Sequence, residues 1–302
     1  MKKNVEWRQF EGIVSAIVTP MKDDGSVDFP ALDSLVEWQI TSGVHGILTL
    51  GGTAEYTSLS GKERSAVVNT VVKKVNGRVP VMAGILTPGL EDAVDAGLAY
   101  AGAGAQAVMP ITPYYYHRAP QEGVFHYLLQ FCNRVETPTF IFNVPPRTGI
   151  NCEPGTVARL ASETKWLVGV KECNTDAVQV ARLVQAVGDK VCILTGEDYW
   201  FLAHVGLGMR GGIIASPNVV PGEWLTFFNL MKAGDLIAAR RLHYRLLPLM
   251  DAFFAEVNPG PLKKAMEMIG RPVGKVRVPL IEPGPETVRK LKQALTDFGL
   301  LK

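Results

Sequence analysis

The sequence lacks most of the features that would tie it to an electrostatic or membrane partner. Its 31 Lys and Arg residues against 29 Asp and Glu leave a formal charge of +2, too balanced to suggest nucleic acid or an anionic membrane as a partner. No run of about 18 consecutive apolar residues occurs, which argues against a membrane-spanning helix. The start, Met1-Lys2-Lys3-Asn4-Val5-Glu6-Trp7-Arg8, has no apolar stretch after its lysines and does not read as a secretory signal. Cysteines are few. Cys132, Cys152, Cys173 and Cys192 show no CxxC spacing and read as buried or free thiols of a reducing cytoplasm, the expected location. His45, His117, His126, His204 and His243 are scattered, so no metal site is expected. There is no Walker loop, and no glycine-rich dinucleotide turn follows the first apolar run.

What the chain has is periodic apolar structure. A hydrophobic fraction of 47% and 30 glycines suit a large buried core joined by tight turns. Eight apolar runs, Ile13–Thr19, Gly46–Leu50, Val79–Ile85, Ala107–Ile111, Thr139–Val144, Leu167–Cys173, Val191–Gly196 and Gly212–Ser216, begin about 21–33 residues apart, with helical patterns between most of them. Asp28-Phe29-Pro30 reads as a helix start, Ser60-Gly61-Lys62-Glu63 as a capping box and Asn76-Gly77 as a helix stop. Eight strand-helix units over about 220 residues predict a (β/α)8 TIM barrel of the α/β class, for which about 250 residues is typical. A doubly wound open sheet is the alternative; it usually has fewer strands. Beyond Ser216 the pattern is helical, with helices predicted near 221–233, 235–255, 261–269 and 285–299. The expected organisation is a barrel over 1–220 with a C-terminal helical extension over 221–302 packed on it.

Active sites of such barrels lie at the C-terminal ends of the strands. Near the end of the sixth run stands Lys171, in Leu167-Val168-Gly169-Val170-Lys171-Glu172-Cys173. A lysine there either caps the strand in solvent or, if buried, is an amine nucleophile of lowered pKa that forms a Schiff base with a carbonyl substrate. Its position at a barrel mouth favours the second reading. After the second run, Gly51-Gly52-Thr53-Ala54-Glu55 is either a plain turn or a nest of N–H groups, with the Thr53 hydroxyl as a further donor, suited to a carboxylate. After the fourth, Tyr114-Tyr115-Tyr116 offers a phenol for proton transfer or packing at a subunit interface. After the fifth, Phe142-Asn143-Val144-Pro145-Pro146-Arg147 places an arginine able to clamp a carboxylate or form a structural ion pair. After the seventh, Gly196-Glu197-Asp198 presents polar groups to a hydroxylated substrate or caps the next helix.

With these motifs in this order, the chain resembles the dihydrodipicolinate synthase / N-acetylneuraminate lyase family. The resemblance runs from Ile17-Val18-Thr19-Pro20 to Asn258-Pro259-Gly260-Pro261-Leu262-Lys263. It implies a cytoplasmic homotetramer that uses no metal or organic cofactor. Its chemistry would be Schiff-base formation with pyruvate or a related 2-oxo acid, then carbon–carbon bond formation or cleavage, or dehydration. Residue by residue, the resemblance makes Lys171 the Schiff-base lysine and Thr53, with the loop around Gly52, the site of the 2-oxo acid carboxylate. Tyr115 would be the tyrosine contributed to a neighbouring subunit's proton relay, and Arg147 the arginine that holds a second substrate's carboxylate in the synthase branch. Gly196 and Ile213 would line the pocket.

Two positions depart from the family pattern. Phe142 stands where the relay tyrosine is expected, and Gly52 where the synthases have a hydroxyl residue. A phenyl ring keeps the packing but can neither donate nor accept a proton. Water near Gly52, Tyr114, Tyr116 or a substrate carboxylate are the candidate replacements. The resemblance therefore implies a dihydrodipicolinate synthase-like lyase. A catabolic 2-oxo-3-deoxy-acid aldolase or dehydratase and a catalytically impaired keto-acid-binding homologue are the alternatives.

Overall fold

The eight apolar runs form eight short strands: β1 Gly12–Ala16, β2 Gly46–Thr49, β3 Val81–Ile85, β4 Ala107–Pro110, β5 Thr139–Asn143, β6 Leu167–Glu172, β7 Cys192–Thr195 and β8 Gly211–Ile214. Every one of their residues is buried, as expected of parallel strands covered on both faces. Each pairs in parallel with its neighbour in sequence, and β8 returns to β1 with Gly12 opposite Gly211, closing the (β/α)8 barrel. This computed structural model describes residues 6–116 and 118–301. The first five residues, His117 and Lys302 lie outside the described residues.

Around the barrel lie α1 Phe29–Thr41, α2 Gly61–Val75, α3 Leu90–Gly102, α4 Gln121–Val135, the single turn α5 Pro145–Thr148, α6 Pro154–Glu163, α7 Ala177–Val187 and α8 Phe201–Gly206. Their ends form where the capping residues stand. Asp28 accepts from the Ala31 N–H at 3.0 Å, Ser60 and Glu63 cap each other reciprocally, and Asn76 closes α2 in the left-handed region at φ 49°. The described chain ends in α9 Pro221–Ala233, α10 Leu236–Phe253, α11 Gly260–Met268 and α12 Pro285–Phe298. Trp224 and Phe227 of α9 pack on Phe201 of α8 at centroid distances of 5.3 and 4.9 Å, and both join the buried cluster that contains the strands.

Inside the barrel, β5 and β6 dictate what surrounds Lys171. Their register slips at Thr139/Phe140, after which Phe140 lies opposite Gly169 and Phe142 opposite Lys171. A Cβ at Gly169 would overlap the Phe140 ring, so a glycine is required there for that ring to enter the core. Phe140 also meets Phe10 edge-on at 5.2 Å, in the short 3-10 turn Trp7–Phe10 that precedes β1. The next pair up, Phe142 and Lys171, forms the floor of the mouth.

Candidate active site

A cavity of about 450 Å³ opens over the C-terminal ends of the strands. Lys171 is buried at its base, 7% exposed, with its Nζ 4.3 Å from the centroid of the Phe142 ring. Its ammonium group has no hydrogen-bond acceptor and no ion pair among the described residues. Burial pulls the lysine pKa below its ordinary value of 10.5; Cys173, Glu197 and Asp198 oppose that shift, and Arg147 adds to it. The group is thus biased towards the neutral amine.

Six other residues singled out from the sequence come to the same cavity: Gly52, Thr53, Phe142, Arg147, Gly196 and Ile213. In the loop after β2, the Ala54 and Glu55 N–H groups are engaged by the Gly51 and Gly52 carbonyls at 3.1 and 3.0 Å. The Gly52 and Thr53 N–H groups have no protein acceptor among the described residues. The loop is thus a hydrogen-bonded turn, and its Gly52 and Thr53 line the cavity. Nothing lies within 4 Å of where a Gly52 side chain would begin. Gly196 is forced by Lys171 itself. A Cβ there would overlap Cys173 Sγ and lie 2.8 Å from Lys171 Cε.

Tyr115 is not brought into this cavity. It is 83% exposed at φ 84°, stacked edge-on against Tyr116, itself 77% exposed. Of the tyrosine run only Tyr114 lines the cavity, and its hydroxyl donates to the Leu86 carbonyl at 3.1 Å. Burial holds that phenol above its ordinary pKa of 10.

Several lining residues were not among those predicted for the site. Asn258, just before α11, donates through Nδ2 to Thr53 Oγ1 at 2.8 Å, across 205 residues of sequence. Glu55 pairs with Lys263 of α11 at 2.6 Å and accepts from the Arg277 N–H at 2.8 Å. Phe254, Val257, Pro279 and Leu280 add an apolar wall, so the C-terminal segment completes the mouth. The signal for Asn258 and Lys263 was the Asn-Pro-Gly-Pro-Leu-Lys run, but what they touch is a tertiary fact.

The end of β7 supplies two carboxylates with different surroundings. Asp198 is fully occupied, accepting from the Ala215 N–H at 3.2 Å, from the Ser216 N–H at 2.8 Å and from the Ser216 hydroxyl. It joins the β7 and β8 ends and does not cap α8. Glu197 is held by its backbone: its N–H donates to Thr195 Oγ1 at 3.2 Å, and the same hydroxyl lies 2.8 Å from Nδ1 of buried His204. The Glu197 carboxyl has no backbone, hydroxyl or cationic donor among the described residues; the Cys173 thiol is its hydrogen-bonding neighbour. Burial and the neighbouring Asp198 raise its pKa above the ordinary 4.5.

Among the described residues no three His, Cys, Asp or Glu side chains converge as a metal site, and no helix is long and apolar enough to cross a membrane. All four cysteines are buried and unpaired.

A closed parallel barrel with an amine buried in its mouth defines the class, a (β/α)8-barrel lyase of the class I aldolase type. The chain belongs to the dihydrodipicolinate synthetase family, whose model it matches over residues 9–298. It is 39% identical over 292 residues to the 4-hydroxy-tetrahydrodipicolinate synthase of Methanocaldococcus jannaschii, covering 97% of this chain and 100% of that protein. It is 38% identical over 293 residues to the synthase of the same name from Thermodesulfovibrio yellowstonii, with the same coverage. Among solved structures, the chloride-inhibited dihydrodipicolinate synthase of Acinetobacter baumannii complexed with pyruvate superposes with a TM-score of 0.92 at 32% identity, covering 96% of this chain and 99% of that one.

Proposed function

We propose that the protein forms a Schiff base between Lys171 and pyruvate or a pyruvate-derived 2-oxo acid, and makes or breaks a carbon–carbon bond in the manner of a dihydrodipicolinate synthase. The observation that carries this reading is the buried, unpaired Lys171 amine at the base of the cavity. A neutral amine can attack the C2 carbonyl; loss of water then leaves an iminium whose positive nitrogen draws electrons from C3. The Gly52 and Thr53 N–H groups, with the Thr53 hydroxyl that Asn258 holds, are placed to receive the C1 carboxylate. That contact orients C2 towards the amine.

Arg147, on α5 at the rim, has no ion pair among the described residues and suits a second carboxylate, which favours the synthase branch. The exposed Tyr115 and Tyr116 suit a contact with another copy of the chain in a homotetramer, where Tyr115 would enter the neighbour's cavity. One observation favours the second reading, a 2-oxo-3-deoxy-acid aldolase or dehydratase: Phe142 and Gly52 remove the tyrosine and the hydroxyl of the expected relay.

Borohydride reduction in the presence of pyruvate tests the shared step. A stable pyruvate adduct on the Lys171 peptide by mass spectrometry is the expected result; its absence refutes the reading. Turnover of pyruvate with aspartate semialdehyde, against a panel of 2-oxo-3-deoxy acids, then separates synthase from aldolase or dehydratase. An adduct without turnover of any panel member would leave a keto-acid-binding protein.

A further inference from the structure

Among the described residues three carboxylates line the cavity, and one of them has neither a cationic partner nor a backbone or hydroxyl donor. Glu55 is neutralised by Lys263 and accepts from the Arg277 N–H; Asp198 accepts from two N–H groups and a hydroxyl. Glu197 lines the same space as Lys171 and Phe142 and has none of these partners. Its backbone is nonetheless fixed, through Thr195 and His204 behind it and through Gly196, which packs directly against the Lys171 side chain. Its neighbouring donor is the weak Cys173 thiol, and a partly buried carboxylate so poorly satisfied, in the same cavity as an amine nucleophile, has a high free-energy cost unless it has a task.

We propose that Glu197 is the base that removes the C3 proton of the Lys171-bound 2-oxo acid, in the site where Phe142 offers no such group. The inference rests on the Schiff-base reading above. In the step, the C3–H bond breaks and its electron pair becomes the C2=C3 bond of the enamine. The π pair of the iminium returns to nitrogen, and the proton passes to a carboxylate oxygen of Glu197. The reverse transfer returns the proton to C3 when the enamine is protonated.

The other groups of the cavity are poorer candidates. Tyr114 spends its hydroxyl proton on Leu86 O, and burial makes it a phenol that does not ionise near neutrality. Cys173 is a buried thiol whose pKa burial pushes well above 9, so it stays protonated. Tyr116 is exposed with Tyr115, and among the described residues no histidine lines the cavity. The raised pKa of Glu197 also makes it a stronger base than an exposed glutamate.

The test uses pyruvate, D2O and borohydride. Wild-type protein should exchange the C3 methyl protons of pyruvate, followed as loss of the methyl signal by NMR, and should give the Lys171 adduct with borohydride. Glu197→Gln, nearly isosteric, should keep the adduct and lose exchange by about 10²–10⁴-fold, the usual contribution of general acid–base help. Glu197→Asp should retain an intermediate rate. Exchange at the wild-type rate in Glu197→Gln overturns the proposal. So does loss of both adduct and exchange in both variants, because Glu197 would then shape the lysine's site and not move the proton. A wild-type protein that gives no adduct refutes the Schiff-base reading itself, a failure distinguishable from the other two.

Discussion

Replacing Lys263 by methionine should weaken the whole fold and the carboxylate-binding loop together. Lys263 and Glu55 form an ion pair at 2.6 Å with side chains only 2% and 0% exposed. The lysine also donates to the Lys275 carbonyl at 3.0 Å, and Glu55 adopts φ 59°, a conformation an L-residue holds only under constraint. Removing one partner of such a pair leaves a charge buried without compensation, at a cost of about 3–5 kcal/mol. With an unfolding entropy of about 2.1 cal/mol/K per residue over 302 residues, that cost corresponds to a fall in Tm of about 5–8 °C.

Adding Glu55→Gln to Lys263→Met should recover much of the loss, because a neutral amide oxygen can still accept from the Arg277 N–H. The double-mutant cycle then yields the coupling energy directly. Calorimetry on the four proteins measures the first effect. The pyruvate concentration that half-saturates borohydride trapping measures the second, and it should rise in Lys263→Met, since Thr53 lies only two residues from Glu55. A single variant that melts within about 2 °C of the parent, about 1 kcal/mol for a chain of this size, would refute the reasoning. A double variant no more stable than the single would refute it too.

Two further effects can be read off the same elements. Gly196→Ala drives a methyl group into Cys173 Sγ and Lys171 Cε, so the rate of adduct trapping should fall by about 10²-fold, the cost of a misplacement of about 1 Å; trapping at the parent rate would show that the lysine tolerates the shift. Glu172, buried beside Asn143 and the Asn174 N–H, has its pKa raised from 4.5 to about 7 by burial. The native state therefore binds more protons than the unfolded chain between these values, and stability falls as pH rises from about 4.5 to about 7, by about 3 kcal/mol in all, before levelling off. Urea midpoints of the parent and Glu172→Gln across pH 5 to 8 should diverge accordingly. Parallel curves would remove Glu172 as the cause.

The barrel was legible because its signals are local. Each strand is a short apolar run, and Asp28, Ser60 and Asn76 cap their helices through contacts within a few residues. Lys171 could be placed at the mouth for the same reason: a strand's end is a property of the strand. The partners of the site residues were not legible, because each depends on register or on long-range packing. Phe142 faces Lys171 only after the slip at Thr139/Phe140, and Thr53 meets Asn258 through the packing of the C-terminal segment. The tyrosine run was ambiguous for a related reason. At the positive φ of Tyr115 the chain turns, with Tyr114 facing inward while Tyr115 and Tyr116 face out. Glu197 was visible as a polar residue after β7, but that it has the Cys173 thiol beside it, where Asp198 and Glu55 have stronger partners, is a tertiary fact.

On the Schiff-base reading, Phe142 is more than a lost tyrosine. Its ring face lies 4.3 Å from the Lys171 nitrogen and attracts a cation there by about 2 kcal/mol when desolvated. Burial opposes the cation, and for the free lysine burial is the larger effect, because its three N–H donors find no acceptor among the described residues. The iminium differs on that count. It has a single N–H, its substrate brings a carboxylate of opposite charge, and its positive nitrogen stays close to the same ring. The balance therefore shifts on going from ammonium to iminium: the neutral amine needed for attack is favoured before the substrate binds, and the cationic adduct is favoured after. A tyrosine at position 142 would keep the ring and add a hydroxyl; the phenylalanine retains the electrostatic part of the task and gives up the proton. The chemistry that needs another residue is thus confined to the C3 proton, and Glu197 is the carboxylate of the same cavity that has no cationic, backbone or hydroxyl partner among the described residues.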